Sequence, residues 1–430
     1  MHKLTQLIEN DMKPALGVTE PGAIAFAVST AKEYVKGEIE FVQVLLNSAM
    51  YKNAFTCGIP NSDQAGNVFA AALGAVAAES SLGLESLAHV TPQDNTVAEQ
   101  LIKDGKVKVK LDHMGFDIDI KALVKSKTDT CEVHIMGSHT NIKRIIHNEK
   151  IIMENPDQEK TTQEKIEIHR YTLEELFYYV DTVDVDELSF IKKAFVMNME
   201  LLEAGLKSER TTFVHQLKNE NHNEIFSDNV LKTAQLLCNG AIEARVIGLD
   251  KPAMSITGSG AHGIIATLPL YAYYKIKQPE IKEEHLLRAT ALSYLVTMYI
   301  KEFSGKLSAF CGCGIAAGTG MACGMAYLRK GNIKELTMVI QNMAAGITGM
   351  ICDGGNQGCV MKGIVATDAA FRSVDMAMAD ICVNHIHGIL GKTPELTMKY
   401  MGMIASPGMA ETERTIVAIL EEKGSENEQS

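Results

Sequence analysis

Tryptophan is absent from the 430 residues, and phenylalanine and tyrosine bring the aromatic share to only 6%. No belt of indole rings marks a bilayer interface, which weighs against a membrane protein. Basic residues are outnumbered, 41 Lys and Arg against 53 Asp and Glu, leaving a formal net charge of −12. An acidic surface repels a phosphate backbone, so nucleic acid is not an expected partner. Cysteine is scarce as well. The nine present, six of them beyond residue 300, are too few and too unevenly placed for a disulfide scaffold in a chain large enough to build its own core. The opening segment MHKLTQLIENDMKPALG carries charges throughout and lacks an apolar stretch followed by a small-residue cleavage site. A reducing cytoplasm is the expected location. Neither an internal repeat, nor a P-loop, nor a nucleotide-binding fingerprint is present. What is plentiful is apolar side chain, 46% against 22% charged. That balance gives a folded chain with core enough for two or three domains and excludes disorder as its main theme.

Proline and periodicity divide the chain. Residues 1–35 read as helical, interrupted at Lys13-Pro14 and again at Glu20-Pro21, because proline removes a donor and disfavours helix in the residue before it. The interruption leaves Gly17 to Pro21 as an ordered turn. Runs at Phe41 to Leu46, Val107 to Leu111 and Cys131 to Ile135 read as strands, with an alanine-rich helix over Asn67 to Glu79 between the first two. The fold class expected is α+β: an α+β lobe over 1–155, a charged connection with a short helix over 156–186, and a mostly helical lobe over 187–430. Within that last lobe, Pro252 to Tyr274, Leu307 to Leu328 and Leu336 to Cys352 carry no charge. Each nears the roughly 20 residues that span a bilayer. They are nevertheless poor in Leu, Ile, Val and Phe, and they hold Thr257, Ser259, His262, Gln341 and Asn342, which lipid would penalise. Glycine spacings such as Gly314 to Gly318 and Gly320 to Gly324 instead suit buried central helices whose backbones approach closely. The polar tail from Glu421 is expected to fray.

The most specific local feature is Ile351-Cys352-Asp353-Gly354-Gly355-Asn356-Gln357-Gly358-Cys359, two thiols seven residues apart across a glycine-rich, non-helical loop. Such a loop folds tightly, frees amide N–H groups toward negative sulfur, and can deliver two thiolates to one metal centre. The third partner comes from Ser308-Ala309-Phe310-Cys311-Gly312-Cys313, with Cys323 a helical stretch later. Three cysteines from two glycine-rich turns suit a [4Fe-4S] cluster with one open iron, whereas structural zinc favours four closed ligands. The plainer alternative, small buried core residues, accounts for Cys131, Cys238 and Cys382. A second constellation, Ser255 to Gly263, places a Gly-Ser-Gly turn where amides and a hydroxyl can bind a carboxylate, or simply enter a helix. Gly137-Ser138-His139-Thr140-Asn141 follows a strand directly, and Lys52-Asn53 follows another; both suit either a site or an ordinary turn.

At these residues the chain resembles the L-cysteine desulfidase family, related to the iron-sulfur-dependent L-serine dehydratase alpha chains. The motifs recur in order along nearly the whole chain: LysProAlaLeuGly-x-ThrGluPro at 13–21, LysAsn at 52–53, Gly-x-HisThrAsn at 137–141, GlySerGly-x-x-Gly at 258–263, SerAla-x-Cys at 308–311, and IleCysAspGly with MetLys at 351–362. The resemblance implies a [4Fe-4S] cofactor and α,β-elimination from a small β-substituted amino acid. By the same resemblance Cys311, Cys352 and Cys359 are the metal ligands, with Cys313 two residues from the first. Val18 stands where desulfidases typically carry a cysteine before ThrGluPro, proposed as the base for the Cα proton, and Ala261-His262 stands where relatives often read Asn-Gln.

The expectation is therefore a lyase giving pyruvate, ammonia and sulfide from L-cysteine. His262 is the preferred base, with Cys57 as another candidate; Glu20 pairs with the ammonium and His139 belongs to the same catalytic set. Asn53, Asn141, Ser259 and Thr19 bind substrate. Two alternatives are an L-serine or other hydroxy-amino-acid dehydratase and a non-catalytic amino-acid-binding homologue that lost its base at Val18. A zinc-binding structural protein is a third. A homodimer is the expected assembly.

Overall fold

A computed structural model describes residues 1–155, 167–305 and 307–429, with side chains as far as Gly424. Part of the expected charged connection, 156–166, lies outside the described residues. The class is α+β: a six-stranded mixed sheet near the N-terminus, followed by helices. The sheet comprises β2 (Phe41–Asn47), β3 (Val107–His113), β4 (Asp119–Lys125), β5 (Thr130–Met136), β6 (Ile142–His147) and β7 (Lys150–Glu154), in the order β3-β2-β4-β5-β6-β7. Strands β2 and β3 run parallel and the other neighbours antiparallel. A parallel pair needs a long crossover, here carried by helices Ser48–Ala54, Asn67–Val76 and Pro92–Lys103.

The inner face follows from period-two alternation. Val42, Val44, Leu46, Ile120, Ala122, Val124, Cys131, Val133 and Ile135 are all buried. Helix Thr19–Lys32 covers β4 and β5 and is buried on every side, since Gly22, Ala23, Ala27 and Ala31 let other elements close around it. The expected interruption at Glu20-Pro21 is corrected here. Proline sits in the first turn of this helix, where its missing N–H is needed least. Residues Lys13–Leu16, expected to lie in a broken helical stretch, form β1 and pair antiparallel with β8 (Pro252–Ser255), joining the N-terminal region to the helical one.

The uncharged runs fold as expected into buried helices. Helix Val230–Val246 packs against Lys192–Lys207, Gly260–Ile276 and Gly358–Met378, and Glu283–Ser304 against Gly318–Leu328. Gly324 lies so close to its neighbour that a Cβ there would stand 2.8 Å from the Ala289 carbonyl oxygen. Among the described residues no helix is long and apolar enough to cross a membrane. The polar tail does not stop at Glu421: helix Ala410–Gln429 continues through it.

Candidate active site

Two cysteine segments, forty residues apart, are clamped edge to edge. Phe310 and Ile351 form a β-bridge, Cys311 N–H donates to Met350 O at 3.0 Å, and Cys352 N–H donates to Ala309 O at 2.6 Å. The second segment also docks on residues 52–53. Gly355 N–H donates to Asn53 O at 3.2 Å, and Gly354 has φ +111°, with any Cβ only 2.5 Å from Lys52 O. Glycine is required there on both counts. Lys52 then fastens both segments, its ammonium donating to Ser308 O at 3.0 Å and Cys352 O at 3.1 Å. Its counter-charge is Glu413 at 2.9 Å, and both side chains are wholly buried.

The structure thus brings Cys311, Cys352 and Cys359 into one neighbourhood, with Cys313 beside Cys311. Cys311 is buried; the other three are half-buried. Cys359 lies in the first turn of helix Gly358–Met378 and so just beyond the irregular loop expected to carry it. Hydrogen bonding with Cys313 and burial push the Cys311 thiol well up, although Gly314 N–H donates to its Sγ at 3.4 Å. Burial, and then Cys352, push Cys359 up to about 11. Clustered thiols in a poorly solvated place resist ionising alone and call for a cation. Lys301, beside them, is brought down to about 8 by burial although the three thiols Cys313, Cys352 and Cys311 favour its charge. Among the described residues no group of three His, Cys, Asp or Glu is arranged to hold a single metal ion. Cys323, Cys238 and Cys131 are buried core residues, whereas Cys382, expected in the core with them, is exposed, because it lies past the end of helix Gly358–Met378 in an irregular segment.

A second cluster surrounds Glu20. Asn53 Nδ2 donates to its Oε1 at 3.0 Å, Thr19 Oγ1 donates to its Oε2 at 3.2 Å, and His139 Nε2 stands 4.0 Å from Oε1. Burial would raise the carboxyl, yet His139, the Asn53 bond and Arg245 outweigh it and hold Glu20 below its ordinary value. Cys57 is buried nearby, and burial and the charge of Glu20 push its thiol well up, which disfavours it as a base. Val18 closes this side, its methyls packed under Gly355.

His262 lies in the first turn of helix Gly260–Ile276. Thr257 Oγ1 lies 2.6 Å from Nδ1, while Nε2 lies so near Gly312 that a Cβ there would meet it at 2.5 Å. Burial, then Lys301 and Arg245, lower the imidazole to about 3, so the ring stays neutral. Ser259 precedes that helix and makes no side-chain capping bond. The Asn141 side chain donates to Met136 O at 2.8 Å and closes the β5–β6 turn.

Three groups escaped the sequence reading: Arg245, Lys301 and Glu413, the buried partner of Lys52. The available signal was a charge set in a mostly apolar helix, as Glu243 and Arg245 are in Leu236-Leu237-Cys238-Asn239-Gly240-Ala241-Ile242-Glu243-Ala244-Arg245-Val246. Position alone names no partner for such a charge.

A family model described as the serine dehydratase alpha chain matches residues 81–418. The chain belongs to this family. Membership supports a dehydratase-type lyase of amino-acid catabolism, and an enzyme of this family binds a small amino-acid substrate. The chain is also similar to UPF0597 proteins, at 38% identity to one from Clostridium botulinum (97% of this chain, 98% of the relative). Others come from Clostridium tetani at 34% (97% of each) and Clostridioides difficile at 33% (96% and 98%).

Proposed function

We propose that this serine dehydratase family member is an iron-sulfur-dependent lyase of the L-cysteine desulfidase kind, acting on a small β-substituted L-amino acid. One observation carries the reading: the backbone pairing of Phe310 with Ile351 collects three thiols from two glycine-rich segments beside the Glu20 cluster. The donor set fits the group in kind. Three thiol side chains brought together from two segments are the donors an iron-sulfur cluster takes. Cys311, Cys352 and Cys359 would hold it, and a [4Fe-4S] cluster, when bound, supplies an open iron that eases loss of the β-thiol or hydroxyl as an anion.

The chain's own groups do the rest. Glu20, kept ionised by its neighbours, takes the ammonium together with Asn53. Of the two histidines, His139 is better supplied as acceptor of the Cα proton, because a carboxylate within 4.0 Å stabilises the imidazolium it becomes. His262, with its ring held neutral near pH 3 and above, is a weaker base and positions the Cys311 segment through Gly312. Elimination leaves aminoacrylate, which water converts to a 2-oxo acid and ammonia. All nine cysteines are free thiols, which supports a cytoplasmic location. Ile381, Val383 and Ile386 are exposed together, which supports a homodimer measurable by light scattering.

Anaerobically prepared or reconstituted protein should contain iron and absorb broadly near roughly 400 nm. Serine at Cys311, Cys352 or Cys359 should each abolish stable iron, while Cys323→Ser retains it. Full zinc occupancy, or no iron after reconstitution, overturns the reading. Ammonia from L-cysteine rather than L-serine separates desulfidase from dehydratase, and amino-acid binding without ammonia from any substrate identifies a non-catalytic homologue.

A further inference from the structure

Arg245 is a buried cation whose guanidinium makes no ion-pair contact among the described residues. The residue is 5% exposed and lies near the end of helix Val230–Val246. Its Nε is enclosed without a hydrogen-bond partner, and among the described residues no carboxylate lies in ion-pair contact with the guanidinium. The obvious acid on the same helix is already engaged: Glu243 accepts from the amides of Thr212 at 2.8 Å, Phe213 at 3.0 Å and Val214 at 2.8 Å, capping another helix. A buried charge left unpaired is costly, and proteins keep one where a ligand completes it.

Three surroundings say what ligand fits. Gly260 opens helix Gly260–Ile276, and a Cβ there would stand 2.7 Å from Arg245 Nε, so the guanidinium lies against the amide-rich start of a 17-residue helix. Such a terminus favours an anion. The Ser259 hydroxyl, unused as a cap, stands at the same end. Glu20, already hydrogen-bonded by Asn53 and Thr19, lies within the electrostatic reach of Arg245 and offers the opposite charge. A fixed cation and a fixed anion within electrostatic reach of each other are complementary to a zwitterion.

We infer that Arg245, with Ser259 and the start of helix Gly260–Ile276, receives the carboxylate of an α-amino acid whose ammonium is held by Glu20 and Asn53. The assignment deepens the proposed elimination and rests on its amino-acid substrate. It orients Cα between the two charges and selects against amines that lack a carboxylate.

The test is calorimetry and steady-state kinetics on the anaerobically reconstituted full chain, with L-serine, L-cysteine, ethanolamine and 3-hydroxypropanoate as probes. Wild type should bind the better amino acid at least about tenfold more tightly than either one-ended analogue. Arg245→Gln should raise KM or Kd for that amino acid by about tenfold to a hundredfold, leave the ethanolamine affinity and iron content unchanged, and not lower the ligand-free thermal midpoint. Arg245→Lys should recover part of the loss. A merely structural arginine would instead lower the midpoint. Ammonia release with unchanged KM in an iron-replete Arg245→Gln protein overturns the assignment and leaves the elimination standing. Amino-acid binding without turnover in wild type, discriminating against ethanolamine, keeps the assignment and overturns the elimination. Equal binding of L-serine and ethanolamine by wild type overturns the assignment without any variant, as does failure of both amino acids to bind.

Discussion

Glu20 stays ionised inside the protein because His139, Asn53 and Arg245 together outweigh the cost of its burial. A carboxylate whose folded value lies below its ordinary 4.5 contributes stability that is complete above that value and is lost as pH falls through the lower folded one. Glu20→Gln should therefore lose less stability than wild type when the pH is taken from about 6 to about 3.5, as read from urea midpoints. An equal loss in both proteins would show that the neighbours do not depress this carboxyl. At this scale the sequence was readable by residue type. Glu20, Asn53 and His139 were singled out and are found together, as are the three cysteines, while the Asn141 side chain donates to Met136 O in its own turn. A strand-end asparagine can hydrogen-bond its own turn or a ligand, and only the direction of the side chain tells which.

Secondary elements were legible where one face is buried and the other is not. β2, β3 and β5 showed branching or alternation, whereas β4, β6 and β7 spread Lys, Arg, His and Glu over their open faces and were not singled out. β1 is four residues long, and its partner β8 lies more than two hundred residues away, so no local pattern marks it. The glycine spacings, by contrast, foretold helix contacts well. A Cβ on Gly320 would collide with Ser293 O and Thr297 Oγ1 of helix Glu283–Ser304, while one on Gly346 meets nothing within 4 Å. Gly320→Ala should cost about 1–3 kcal/mol or more by forcing packed helices apart. Gly346→Ala should gain up to about 0.5–1 kcal/mol from reduced chain entropy. Denaturant midpoints of the two variants should move in opposite directions, and a shared direction would refute the contact geometry.

Across the whole molecule, two long-range ties converge on the candidate site: the β1–β8 pair and the Lys52–Glu413 ion pair, which lets a C-terminal helix brace both cysteine segments. Removing one member of a wholly buried pair strands the other charge, so Lys52→Met or Glu413→Leu alone should cost about 3–5 kcal/mol. The double variant should regain most of that stability, since paired charges are replaced by packed apolar groups. It should still lose iron faster than wild type on exposure to chelator, because the tether to Ser308 O and Cys352 O is gone. A double variant that retains iron as wild type does would assign Lys52 to stability alone.

The sequence by itself determined the elements that depend on local order: buried uncharged helices, alternating strands, glycine-rich cysteine turns and the ordered motifs that carry the family resemblance. Only the tertiary structure decided which charges face each other. Arg245 with its Nε unpartnered, Glu413 on Lys52 and His139 on Glu20 are choices made by through-space distance and by how little water reaches each group, and neither quantity is written along the chain.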